Sequence, residues 1–129
     1  MSDAEFLAAL ETCALPPDEF THAAHVRAGY LYLRRAPFAA ALERLSGVIS
    51  RFAAHHGSPD RYHETVTVAY LALIQQHLSE RGDGGDWTGF ARANPELFEP
   101  RLLARYYPPG QLETPLARRI FLLPRPAGG

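Results

Sequence analysis

The sequence predicts an all-α protein: a compact helical bundle of about four main helices followed by short C-terminal helices. Three observations carry that expectation. Phe38, Leu42, Leu45, Ile49 and Phe52 step by four, three, four and three, the spacing of one helical face. Capping residues and prolines punctuate this and the neighbouring runs. No two alternating runs are joined by a tight turn, so nothing reads as a strand pair.

The elements follow in order. Ser2-x-x-Glu5 is a capping box ahead of Phe6, Leu7 and Leu10, so the first helix runs from Asp3 to Thr12. Leu15-Pro16-Pro17 ends it, because a residue before proline avoids the helical region. The second helix starts at Asp18 or Thr21, both N-cap types, and runs through Tyr30, Leu31, Tyr32 and Leu33 to Arg34-Arg35. Pro37 suits the first position of the third helix, Gly57 its C-cap, and Ser58-Pro59-Asp60 a turn. The fourth helix spans Tyr62 to Ser79. From Val66 to Ile74 it carries no charge, and a helix apolar nearly all round is expected to be surrounded by other elements.

Gly82-Asp83-Gly84-Gly85 reads as a flexible loop. Beyond it, Asp86 caps a short helix with Trp87 and Phe90 that Asn94-Pro95 stops. Leu97 through Tyr107 reads as a further short helix or two, and Thr114-Pro115 opens a last one carrying Leu116, Ile120 and Phe121. The chain is expected to form one domain, residues 1–129, with an ordered core from 3 to 123 and a frayed Ala127-Gly128-Gly129 tail.

Composition narrows the function classes. A net charge of −1 offers no argument for a nucleic-acid partner or an anionic membrane surface. All thirteen cations are arginine, which excludes lysine Schiff-base chemistry. The single cysteine, Cys13, cannot form an internal disulfide and fits a reducing compartment. No apolar run spans a bilayer, and Asp3 and Glu5 stand where a secretory signal would carry positive charge. The expected location is the cytoplasm, with no membrane partner.

The chemistry concentrates in the six histidines. Short connections make successive helices antiparallel, so the second and fourth run parallel. Their N-termini then share one end of the bundle, together with the C-terminus of the third. That end collects His22, His25, His63 and Glu64, with His55 and His56 as further candidates, while only His77 lies elsewhere. His22 and His25, three apart, face the same way. Two histidines from one helix and a His-Glu pair from another suit a divalent transition metal: zinc, iron, copper or nickel. The first expectation is therefore a metal-dependent enzyme, a hydrolase or an oxidoreductase acting on a small molecule. Its ligands would be His22, His25, His63 and Glu64. Glu64 doubles as general base and Tyr106 as a proton donor. Arg105, Tyr107, Tyr30 and Thr67 are the candidate substrate contacts.

Two alternatives stand beside it. In a metal-free pocket, helix N-termini with Arg27 or Arg61 would hold an anionic small molecule, and His63-Glu64 would act as acid and base. In a non-catalytic small-molecule-binding or protein-interaction domain, the histidines would be structural and the aromatic C-terminal third a contact surface. A homodimer is compatible with either.

Phe20-Thr21-His22-Ala23-Ala24-His25-Val26, then Tyr62-His63-Glu64-Thr65, then Leu102-Leu103-Ala104-Arg105-Tyr106-Tyr107, resemble a group of small uncharacterised all-helical bacterial proteins. The resemblance runs from Leu15 to Phe121. It implies that the three segments belong together and carries no activity with it.

Overall fold

Ser2 opens the first helix with the reciprocal pair its sequence motif calls for. Its hydroxyl accepts from the Glu5 N–H at 3.1 Å, and the Glu5 carboxylate accepts from the Ser2 N–H at 3.0 Å. In the computed structural model, which describes residues 1–126, helix α1 then runs Asp3–Glu11 and buries Phe6, Leu7 and Leu10. The Ala127–Gly129 tail lies outside the described residues. Among the described residues there is no strand, and no helix is long and apolar enough to cross a membrane.

Thr21, not Asp18, caps the second helix. Its Oγ1 accepts from the Ala24 N–H at 3.2 Å, and α2 runs His22–Arg35, while Asp18 sits in a 3-10 turn at Pro17–Glu19. Helix α3, Phe38–His55, buries Ala41, Leu45, Val48, Ile49 and Phe52, and Pro37 stands just outside as its cap residue. Helix α4, Glu64–Arg81, begins two residues later than its sequence suggests, because His63 is its N-cap rather than part of its first turn.

Helices α2, α3 and α4 pack against one another. Gly29 sits at the α2–α4 contact. A Cβ there would lie 2.9 Å from Ile74 Cδ1 and 3.2 Å from Leu71 Cδ1. Thr21 and His22 of the α2 start line one cleft with Arg61 and Val66 at the α4 start. At the other end the Tyr30 hydroxyl donates to the Asp83 carbonyl, just past α4, at 2.9 Å. Helices α2 and α4 are therefore parallel, and α3 returns between them.

Helix α4 is less enclosed than its composition suggests. Only Thr65, Thr67, Leu71 and Ile74 are buried, whereas Ala72 is exposed and Leu73 half-exposed. The reason lies in its second neighbour. Instead of further long helices, the C-terminal third lays down α5 (Trp87–Ala93), 3-10 turns at Pro95–Phe98 and Leu102–Arg105, and the short α6 (Pro115–Arg119). Pro95 and Pro115 open the Pro95 turn and α6 at their first positions, and Pro95 also bars α5 from continuing.

Side chains hold this irregular third in place. Thr65 Oγ1 donates to the Ile120 carbonyl at 2.8 Å and accepts from the Leu122 N–H at 3.1 Å. Gln111 clasps the same segment through the Leu123 carbonyl (2.9 Å) and the Arg125 N–H (3.0 Å). At the far end of α4, buried Asn94 donates to the Phe90 carbonyl at 2.8 Å and accepts from His77 Nδ1 at 2.7 Å and Arg81 at 2.9 Å. Each buried polar group here has its partner, as an interior requires.

Candidate functional site

His63 fixes the start of α4. Its Nδ1 accepts the Val66 N–H at 3.2 Å, and its Nε2–H donates to the Leu112 carbonyl at 2.7 Å. This pattern requires the neutral ring with its proton on Nε2, and it engages both nitrogens. Glu64 accepts from the Tyr62 hydroxyl, and burial together with that carboxylate pushes the Tyr62 phenol well above its ordinary range.

His22 and His25 stand at the start of α2. His22 Nε2–H donates to the Leu97 carbonyl at 2.9 Å, and its ring meets Tyr70 edge-on at 4.8 Å. His25 Nδ1–H donates to the Thr21 carbonyl at 2.8 Å, and its ring stacks on Phe20 at 3.7 Å and 12°. In their neutral forms each ring keeps one lone pair, on His22 Nδ1 and His25 Nε2. Burial lowers the His25 pKa, the Thr21 carbonyl opposes that, and nearby His22 and Arg61 add to the lowering.

The four expected metal ligands are not brought together. Among the described residues, no group of three or more His, Cys, Asp or Glu side chains is placed to hold one ion. Parallel helices bring their starts to one end of the bundle, but His63 turns its nitrogens onto backbone and Glu64 turns to Tyr62.

The remaining candidates disperse. Tyr30 is fully buried at the opposite end of α2, against Phe90 and Trp87, where Arg34 donates to its hydroxyl at 3.2 Å. Tyr107 is buried, donating to the Leu122 carbonyl at 2.7 Å. Arg105 forms an exposed pair with Glu99 at 2.7 Å. Tyr106 is 52% exposed and lies with Ala69, Leu73 and Phe121. At 100° per residue, Ala69 and Leu73 mark the face of α4 turned away from Thr67, Leu71 and Ile74. A role for Tyr30, Arg105, Tyr106 or Tyr107 beside the histidines is corrected accordingly. Arg27 is also elsewhere, paired with Asp3 at 2.7 Å and lying over the Phe6 ring.

Between α2, α3 and α4 the helices leave a cleft of about 420 Å³. Its floor is buried and apolar: Val26, Leu45, Ile49, Leu71 and Ile74. Phe20, Val66 and Tyr70 form its walls, with Thr67 beside them, and Thr21, His22, His25 and Arg61 its rim. Thr67 faces this space but commits its hydroxyl hydrogen to the His63 carbonyl at 2.8 Å. Arg61 makes no ion pair among the described residues. A cleft of this size, mostly apolar with a few polar groups at one side, has the form of a small-molecule site.

Of the cleft residues, Arg61 was visible in sequence only as one of two options for an anion contact. Val66 was visible only as the start of the uncharged run of the fourth helix, and Phe20 only as part of a segment shared with similar proteins. Comparison with models of known families, with curated proteins and with solved structures gives no match for this chain.

Proposed function

We propose that this is a small-molecule-binding protein and that the cleft between α2 and α4 is its site. One observation carries the reading. A buried apolar floor opens onto a rim where His22, His25 and Arg61 retain hydrogen-bonding capacity that the fold does not use. Floors of this kind reward burial of an apolar body, at roughly 25 cal/mol per Å² removed from water, while the rim orients it. His25 adds a neutral imidazole lone pair, so proton abstraction from a bound ligand is open to it. A cytoplasmic location fits the lone thiol.

The test is a methyl-resolved NMR titration with the neutral apolar probe 1-octanol. Saturable shifts at Val26, Leu71 and Ile74, with Leu103 unmoved, support the reading. Shifts absent from the methyl groups of those three residues at saturation would remove it.

A second reading rests on a separate observation. The lone pairs of His22 Nδ1 and His25 Nε2 lie three residues apart on one helix at the cleft rim. Two imidazoles could hold a divalent transition metal with water or ligand completing its shell, leaving His63 and Glu64 structural. Metal content after purification without a nickel column separates the two. Stoichiometric metal that disappears in His22→Ala favours this second reading.

A further inference from the structure

We propose that the ligand is a monocarboxylic acid, with its apolar body in the α2–α4 cleft and its carboxylate in the polar cavity that adjoins it at Arg61. This rests on the cleft reading and goes beyond it by naming the ligand's chemical class.

The second cavity, of about 310 Å³, shares Phe20, His25, Ile49 and Arg61 with the cleft, so the two adjoin along these side chains. Its own lining differs in kind: His56, Ser58 and Tyr62 replace the aliphatic floor. Tyr62 already donates to Glu64, which leaves Arg61 and Ser58 as donors on that lining, with the His56 ring beside them.

Two independent observations point to an oxygen anion there. Arg61 stands where the two compartments join and makes no ion pair among the described residues. A guanidinium fork matches the two oxygens of a carboxylate. Separately, His56 Nε2 is buried with no hydrogen-bond partner. Native proteins rarely leave such an atom unpaired, and a turn of this ring toward the cavity would present its N–H to a carboxylate oxygen. One cation with neutral donors suits one negative charge, so a carboxylate matches better than a doubly charged phosphate. The aromatic stack of Phe20 on His25 belongs to both compartments and marks the junction between head and body.

The experiment compares octanoate with 1-octanol by methyl-resolved NMR titration of the full chain and of Arg61→Met and His56→Phe. Octanoate is expected to bind about tenfold or more tighter than octanol. Arg61→Met, at an exposed position, should remove that advantage, so that octanoate and octanol bind the variant about equally. His56→Phe should weaken octanoate selectively. Octanol binding as tightly as octanoate, or octanoate unaffected by Arg61→Met, overturns the acid assignment while the cleft reading stands. Failure of both probes to bind overturns the cleft reading and this inference with it.

Discussion

His63 donates its Nε2–H to the Leu112 carbonyl at 2.7 Å, joining the start of α4 to the turn that precedes α6. The other ring nitrogen caps the helix at Val66. A residue with the spacing and company of a metal ligand is thus a clamp between two segments forty-nine positions apart.

His63→Ala should therefore act on stability. Loss of an N-cap and of a bond to a part-buried carbonyl together cost about 1–3 kcal/mol. His63→Asn should recover the capping share but not the Leu112 share. Urea denaturation of the three proteins measures this, and an alanine variant as stable as the parent would contradict the clamp.

Thr65→Val keeps the shape of a fully buried side chain and removes both its bonds to the C-terminal segment. The expected loss is about 1–3 kcal/mol, since the Ile120 carbonyl and the Leu122 N–H both lose their partner. Amide exchange at Leu122 should accelerate well beyond that at Leu71. Uniform acceleration across the chain would instead indicate global destabilisation alone.

The main helices were legible because their signals are local. The Ser2–Glu5 box, the Thr21 cap and the stripe from Phe38 to Phe52 each depend on neighbours within a turn or two. The short helices of the last third were legible on the same terms, with Asp86 and Thr114 as their caps. How they are held was not, since Thr65, Gln111 and Tyr107 fix them through contacts at long sequence separation. The candidate site was legible to the level of a helix end and no further. Chain direction places His22, His25 and His63 at one end of the bundle. The direction each ring takes depends on the carbonyls of Leu97, Thr21 and Leu112, and nothing in the sequence pairs those with the histidines.

His25 should give the protein a pH-dependent stability of known sign. Burial holds its folded pKa below the ordinary value of about 6.5. Between those two values the unfolded chain binds more protons, so the His25 contribution to stability falls as pH drops below about 6.5 and is fully lost below the folded pKa. It is fully present above the unfolded value. Ring-proton NMR should place the His25 midpoint below that of an unfolded-peptide reference, and a midpoint above it would contradict this burial.

Asn94 offers a prediction at the far end of α4. Asn94→Leu removes the acceptor of His77 and Arg81 and the donor to the Phe90 carbonyl in a fully buried position. Unfolding should become easier by about 2 kcal/mol or more, with binding at the distant cleft unchanged in the fraction that remains folded. Calorimetry with and without 1-octanol checks both parts.

The most direct measurement is the affinity for 1-octanol of the parent and of Val66→Trp, in which a half-buried wall residue is enlarged into the cleft. The expected result is a folded variant, judged by circular dichroism, whose affinity has fallen by about tenfold or more. A folded variant that binds as tightly as the parent would place the ligand elsewhere and contradict the assignment of the α2–α4 cleft.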